Sequence, residues 1–484
     1  MQATSDPLPA TTSGEMHRSL KTRHLTMIAL GGSIGTGFLI ASGSAIATAG
    51  PGGALLVYAL MGVMVYFLMT SLGEMATFRP TTGSFVQYST DYVDPALGFA
   101  MGWNYWFNWT ITITVDAVSC GVVLNFWLPH VPSWVFTLGV FILITIINWL
   151  SVRSYGEMEY WLSLIKIVTI GLFIVIGLAI IVGIMGGHSA VGLHNFTYKQ
   201  APFVGGFPGL FAVFLVAGMS FQGTEMVGIT AGESADPGHA VPKAIQSTFW
   251  RILVFYLLSI FVMACLLPYT DKNLLSQNVQ DVAMSPFTIV FRRAGLAAAA
   301  SIMNAVIFTA LLSAANSGLY ASTRMLYTQA KEGYAWRIFG YVNKRGIPIY
   351  AMVGTLAVSL LVFLTQFLGP AAYSYLIAAS GLSGFIAWLG IAVAHYRFRR
   401  AFLKQGHQLS ELKYRALLFP FGPLFAFGLC LIAVAGQNVD AFIHWNWESI
   451  LITYMSVPLF LILFIYYKVK YKTHLIPLDQ VKLR

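Results

Sequence analysis

Long apolar stretches recur along the whole chain, separated by short polar segments. About 20 apolar residues cross a bilayer as a helix. On that length the pattern predicts twelve spans, at 26–46, 53–77, 97–128, 133–150, 158–185, 204–232, 246–268, 286–330, 348–369, 372–397, 416–436 and 449–470. Two of the stretches break in the middle. The first runs from His24 to Ile40, with Gly31, Gly32, Ser33, Ile34, Gly35, Thr36 and Gly37 near its centre. The second covers about 203–232, and its interior reads Gly218-Met-Ser-Phe-Gln-Gly-Thr-Glu-Met-Val-Gly228, which sets a carboxylate, Glu225, at membrane depth. Irregular backbone inside a bilayer is tolerated only where it is buried in protein or lines a cavity. Interrupted spans at corresponding places in two halves of a chain point to the binding site of a secondary transporter.

The halves are spans 1–5 and 6–10, each opening on a glycine-broken span, at Gly35 and Gly223. An odd number of helices per half inverts the second half relative to the first, as in alternating-access carriers. The expected fold is therefore all-α and integral to the membrane: twelve helices, a 5+5 inverted repeat with helices 1 and 6 broken, and two further C-terminal helices. The expected division is a tail at 1–24, a transporter domain at 25–470 and a tail at 471–484. Within the domain, repeat 1 covers about 25–186, repeat 2 about 203–398, and helices 11–12 about 416–470.

Composition agrees with this pattern. Apolar residues make up 57% of the 484, charged residues 10%, and mean hydropathy is +0.71. A soluble domain carries about 25% charged residues, so that class is excluded. The first ~20 residues are polar, and no cleavable signal is expected. A net charge of +10 would suit nucleic-acid binding, but its placement argues otherwise. Arg18, Lys21, Arg23, Arg79, Arg153, Lys243, Arg251, Arg324, Lys331, Arg337, Lys344, Arg345, Arg397, Arg399, Arg400, Lys404, Lys413, Arg415 and the tail from Lys468 fall on one face of the expected topology. The other face holds only Lys199, Lys272, Arg292 and Arg293. Positive charge stays inside, so both termini are expected in the cytoplasm. His395 is expected at the membrane interface. Cys120, Cys265 and Cys430 lie in or beside apolar segments without metal-ligand spacing and read as buried thiols.

Glycine lets the first break leave helical geometry. Freed N–H groups at Gly35, Thr36 and Gly37 can cradle an anion at a restarting helix N-terminus, and carbonyls near Ser33 and Ile34 can accept from an ammonium group. One break thus suits both ends of a zwitterion. The same glycines would also serve close helix packing. Glu225 is an ionisable group within a span, by default a functional candidate. It could exchange protons, hold a cation or satisfy loose N–H groups of its own break, beside Ser220, Gln222 and Thr224. Lys166 is a lone ammonium in span 5. It either snorkels to the surface or acts as a fixed charge that takes part in proton coupling. Span 3 carries Tyr105, Trp109, Thr112 and Asp116 on one helix face. That stripe suits a cationic side chain through charge pairing and cation–π contact, although aromatics at such spacing also pack. Span 8 has a polar stripe, Thr309, Ser313, Asn316, Ser317, Tyr320 and Arg324, that must face protein or water. No Ser-His-Asp or metal-ligand constellation is present, so neither an enzyme nor a cofactor is expected.

Several segments carry a family resemblance: Arg23-His-Leu-Thr-Met-Ile-Ala-Leu-Gly-Gly-Ser-Ile-Gly-Thr-Gly37, Gly50-Pro-Gly-Gly53, Ser71-Leu-Gly-Glu-Met75, Ser220-Phe-Gln-Gly-Thr-Glu225 and Ala231-Gly-Glu-Ser-Ala-Asp-Pro237. With them, from about Arg18 to Tyr471, the chain resembles bacterial amino acid permeases of the amino acid–polyamine–organocation superfamily, which have a LeuT-type fold. Gly102-Trp-Asn-Tyr-Trp106, Asn316-Ser-Gly318 and Gly384-Phe-Ile-Ala-Trp-Leu-Gly-Ile391 are most similar to its lysine-specific members.

The resemblance implies that a substrate carboxylate meets Thr36 and Gly37 around a turn shaped by Gly35. The α-amino group would meet carbonyls near Ser33, Ile34 and the second break (Gln222, Gly223, Thr224). Lys166 matches the lysine that stands in for a sodium ion in proton-coupled members. Glu225 and Tyr105 match positions implicated in lysine transport. Met219 falls where relatives carry an aromatic lid, a departure that leaves occlusion to be shared with Phe221 or Trp109. The implied function is proton-coupled uptake of L-lysine across a bacterial inner membrane by alternating access. The alternatives are a permease or exchanger for another amino acid (arginine, ornithine or an aromatic one) and a lysine sensor that reports to a membrane-bound regulator. The expected partners are lysine, protons and the bilayer, without nucleic acid.

Overall fold

The computed structural model describes residues 16, 18–31, 34–39, 41–185, 190–275, 285–296, 298–368 and 382–483. Among these the secondary structure is helical, apart from one isolated parallel bridge between Leu20 and Ser234. The chain enters through α1 (Thr22–Gly31) and continues as α2 (Thr36–Leu39) and α3 (Ser42–Phe78). Next come α4 (Ser84–Tyr92), α5 (Pro95–Leu124), α6 (Ser133–Leu150), α7 (Val152–Ile181) and the short α8 (His194–Thr197). The second break lies between α9 (Gly206–Phe221) and α10 (Met226–Ala231). α11 (Pro237–Trp250) runs through a π-helical turn (Arg251–Leu258) into α12 (Ser259–Leu266). There follow α13 (Pro286–Arg293), α14 (Ala299–Lys331), α15 (Ile349–Leu368) and α16 (Ser383–Lys404). The chain closes with α17 (Phe421–Ala435), α18 (Val439–Ile443), α19 (Trp447–Tyr454) and α20 (Ser456–Tyr471).

Among the described residues, seven helical runs are long and apolar enough to cross a membrane: Ser42–Phe78, Pro95–Leu124, Ser133–Leu150, Val152–Ile181, Gly206–Ala231, Pro237–Leu266 and Ala299–Lys331. The pair α19–α20, bent by 60°, makes an eighth if counted as one span, and Ile349–Thr365 and Phe421–Ala435 are shorter apolar helices. Part of the expected span at 372–397 lies outside the described residues. Many large apolar side chains on the helices face outward, among them Ile142 (61% exposed), Val175 (66%), Leu361 and Ile462. In water such a surface would drive association. In a bilayer it is the favoured surface, and helices satisfy their own backbone groups there.

Local chemistry sets the element ends and corrects several expected ones. α7 starts at Val152 rather than 158, because the Ser151 side chain accepts from Ser154 N–H. α11 starts at Pro237 rather than 246, because Asp236 caps it and proline fits the first turn. The expected run 286–330 is two helices, with Gly295 at φ 82 in the turn between them. α3 contains a junction at Gly50 (φ 78, ψ 171), followed by Pro51. A side-chain carbon at Gly50 would lie 2.6 Å from the Pro202 carbonyl oxygen, so only glycine lets that loop approach.

The core is built from long helices packed in pairs: α5 against α14, α3 against α9, and α1 between α7 and α11. Three charges expected on the cytoplasmic surface are inside. Arg251, Arg324 and Arg399 are buried, Arg324 in an ion pair with Glu233 at 2.7 Å and Arg399 in one with Glu74. His395, expected at the interface, is also buried, 3.2 Å from Glu74. Cys120, Cys265 and Cys430 are free and buried.

Candidate functional site at the two helix breaks

Packing brings the two breaks together. α1 ends at Gly31 and α2 starts at Thr36; between them Ile34 is non-helical and fully buried. Ser33 and the Thr36 side chain lie outside the described residues. In the second break Gln222 takes φ −58 and ψ 142, and Gly223 takes φ 92, a conformation open to glycine without steric cost. A side-chain carbon at Gly37 would lie 3.1 Å from the Met219 backbone. Ser220 Oγ sits 3.0 Å from the Gly37 carbonyl and 2.9 Å from the Tyr58 hydroxyl. The missing side chain at Gly37 therefore serves close packing, a role that leaves its backbone amide aside. Gly35 differs: a side-chain carbon there would meet no atom of the described residues within 4 Å.

Glu225 stands at the second break, fully buried. Its Oε1 accepts from the Tyr105 hydroxyl at 3.0 Å and from Gly223 N–H at 3.3 Å, and its Oε2 accepts from Trp388 Nε1 at 3.1 Å. The carboxylate thus ties its own loose backbone to α5 and α16. A carboxylate offers about four lone-pair directions, so three donors leave room for one more. Tyr105 is held edge-on by Phe85 at 4.9 Å and Trp109 at 6.0 Å. Trp109 Nε1 is buried without a hydrogen-bond partner among the described residues. Phe221 is fully buried and stacked on Tyr256 at 4.4 Å, a packing position. Met219 is 50% exposed. Thr224 Oγ1 bonds the Phe221 carbonyl, and the Gln222 amide lies against Gly384 of α16.

The stripe on α5 divides between two places. Tyr105 reaches Glu225, whereas Asp116, three turns further along, interacts electrostatically with Lys166. Lys166 is fully buried, so it does not snorkel. Its Nζ donates to Ser313 Oγ at 2.9 Å and stands 4.0 Å from Glu159 Oε1. Ser313 Oγ in turn donates to Glu159 Oε1, and Ser163 Oγ lies 3.4 Å from the same oxygen. Asp116 Oδ2 and Glu159 Oε2 are buried without hydrogen-bond partners. The α14 stripe faces this interior: Asn316 accepts from Asn148 at 2.9 Å, and Tyr320 stacks on Tyr155 at 4.0 Å.

Trp388, Glu159, Ser163 and Arg251 are absent from the sequence-based site. Trp388 carries an indole N–H that needs an acceptor when buried, which was a readable signal. Glu159, Ser163 and Lys166 sit at steps of four and three on one face of α7, a second such signal. Arg251 had none: its position in the pattern is that of a surface charge. It donates from Nη1 to the Ala29 carbonyl, while Nε and Nη2 have no hydrogen-bond partner. A cation suits the carbonyl end of a helix, here that of α1.

Residues 24–478 match the family model described as amino acid permease. The chain is 54% identical over 480 residues to the lysine-specific permease LysP of Lactococcus lactis subsp. cremoris, covering 98% of this chain and 94% of the relative. It is 51% identical to the Escherichia coli lysine-specific permease LysP, with 96% of each covered. It is also 51% identical to the histidine permease HisP of L. lactis subsp. cremoris, with 97% and 98% covered. Among solved structures, a manganese transporter from Eremococcus coleocola shares the fold at a TM-score of 0.56 and 12% identity, covering 93% and 94%. The apolar helices and the permease relatives together make this a multi-pass membrane protein.

Proposed function

The chain belongs to the amino acid permease family, and we propose that it takes up L-lysine across a bacterial inner membrane by proton-coupled alternating access. In this reading twelve helices cross the membrane with both termini cytoplasmic, as a 5+5 inverted repeat plus two. The observation that carries it is the junction of two helix breaks beside the buried Glu225 carboxylate. The substrate carboxylate lies at the amides of Gly35, Thr36 and Gly37, and its α-amino group lies at carbonyls around Ser33, Ile34 and Gln222–Thr224. The side-chain ammonium takes the fourth direction at Glu225, with Trp109 supplying a π-face. Met219 covers the site. The likeness to two lysine-specific permeases supports the choice of substrate.

Proton coupling rests on the second cluster. The Ser313 hydroxyl accepts from Lys166 Nζ and donates to Glu159 Oε1, which makes a two-step relay. One N–H bond at Lys166 breaks, Ser313 passes its own proton on, and an O–H bond forms at Glu159, leaving a neutral amine and a neutral acid. Ser313 belongs to α14 and the other two to α7, so a shift between these helices breaks the relay. Glu225 is a second proton acceptor in this scheme.

The test is uptake of radiolabelled L-lysine into proteoliposomes with and without an inward proton gradient, with each other amino acid as unlabelled competitor. Accumulation that needs the gradient and is blocked by lysine and close analogues supports the reading. Lysine binding or exchange without accumulation refutes the coupling. The HisP likeness favours histidine as the second reading, and block by histidine at equal concentration would replace lysine with it.

A further inference from the structure

A cleft of about 830 Å³ opens between α3, α11 and the segment 414–417, away from the helix breaks. We propose that it binds one anionic phospholipid of the surrounding bilayer, headgroup and upper acyl chains together.

The charge pattern is the first argument. His239, Lys243 and Arg415 line the cleft, and no carboxylate does. His239, Lys243, Gln246 and Trp250 follow at steps of four, three and four along α11, and all are exposed, so they share one helix face. Over roughly 16 Å of helix that face passes from basic to neutral polar to aromatic. A phospholipid presents the complementary order of phosphate, glycerol and acyl chain. Trp250 and Phe249 stand exposed at the apolar end, where tryptophan is favoured at membrane interfaces. Basic pockets between helices on the cytoplasmic side bind anionic headgroups.

The far wall is fixed in place. Glu74 accepts the Arg399 guanidinium and the Ala416 N–H at 2.7 Å, while Arg399 Nη2 donates to the Ala416 carbonyl at 3.3 Å. Ala416 is thereby held on both sides, and its neighbours Arg415 and Leu417 stand exposed. The Tyr414 ring fits against α3 at Gly73, where a side-chain carbon would lie 3.2 Å from it. Walls held before binding cost little ordering. A free anion would use the basic end alone and leave the aromatic end idle, which is why the lipid is the better occupant.

Only the sidedness of this site rests on the orientation proposed above. The test is native mass spectrometry of the full chain after equilibration with equal phosphatidylglycerol and phosphatidylcholine, with lysine counterflow by the same preparations as a separate readout of transport. Wild type should retain phosphatidylglycerol preferentially. Lys243→Gln with Arg415→Gln should cut that preference roughly twentyfold, at about fivefold per charge near an anionic surface. Lys243→Arg with Arg415→Lys should keep it, and Trp250→Ser should lower retention of both lipids. Equal retention of both lipids by wild type, or an unchanged preference in the glutamine pair, overturns the site. A thermal stabilisation by inorganic phosphate equal to that by phosphatidylglycerol overturns the lipid. If the glutamine pair does not purify, the Lys243→Gln and Trp250→Ser single variants decide by the same readout.

Discussion

Glu225 joins three parts of the fold through one carboxylate, since its three donors come from its own break, from α5 and from α16. A hydrogen bond to a charged group is worth about 1.5–3 kcal/mol. Glu225→Gln should therefore lower lysine uptake by about 10- to 100-fold while leaving the amount of folded protein unchanged, as read by size-exclusion profiles and initial rates. Trp388→Phe keeps the ring and removes one donor. If the indole acts through the carboxylate, Trp388→Phe combined with Glu225→Gln should transport no worse than Glu225→Gln alone, and additive losses would show separate roles. At the other cluster, Lys166→Ala and Ser313→Ala should abolish gradient-driven accumulation but leave counterflow, and Ser313→Thr should restore it because the hydroxyl is kept. Full accumulation in Ser313→Ala would exclude the relay. Glu225, Lys166 and Tyr105 were readable one by one, because an ionisable or aromatic side chain inside an apolar run needs a reason. Their pairing was not: Asp116 and Tyr105 share a face of α5 yet serve different partners, since a helix face extends further than one site.

At the scale of elements, breaks and caps decide the geometry. Gly223 sits at φ 92, and a side chain in the left-handed region costs about 1–2 kcal/mol. Gly223→Ala should destabilise the second break and slow uptake, and Gly35→Ala, which meets no atom within 4 Å, should be tolerated in folding; thermal unfolding of the two purified variants compares them. Asp94 caps α5 by accepting from Ala96 N–H at 2.9 Å, and it also accepts from Lys468 and from Thr473 at 2.7 Å. Burial would raise its carboxyl, but Lys468, Thr473 and the cap outweigh this and hold it below the ordinary carboxylate range. A group whose folded-state value is lowered stabilises at pH above its unfolded value and loses that contribution as pH falls through the folded one. Asp94→Asn should thus unfold at lower temperature than wild type at pH 7, with the gap closing below about pH 4, and a gap independent of pH would count against this account. The positions of α5, α6, α9 and α12 followed from apolar length. The early starts of α7 and α11 did not, because a cap extends a helix through polar residues that hydropathy assigns to a loop.

On the scale of the whole molecule, one end of the bundle is closed by contacts from distant parts of the chain. Leu20 pairs its backbone with Glu233 and Ala235, Arg23 pairs with Glu157, and Arg324 grips Glu233 while lying 3.9 Å from the Tyr320 ring centroid. The alternating access proposed above requires this end to open. Paired backbones lie about 5 Å apart, within disulfide reach. Leu20→Cys with Ser234→Cys, oxidised, should block uptake, and reduction should restore it; transport through the oxidised protein would show that this closure does not gate the path.

The sequence by itself determined the class of the protein, its apolar helices, the two glycine-rich breaks and the ionisable residues held inside the membrane. Each of these is local, since apolar length, glycine freedom and the cost of burying a charge are properties of a short stretch of chain. Only the tertiary structure decided that the breaks touch, that Trp388 rather than Asp116 completes the Glu225 site, that Ser313 attends Lys166, and that Arg251, Arg324, Arg399 and His395 are buried. These depend on which helix faces meet between parts of the chain far apart in sequence, and helix packing, not local pattern, sets that choice.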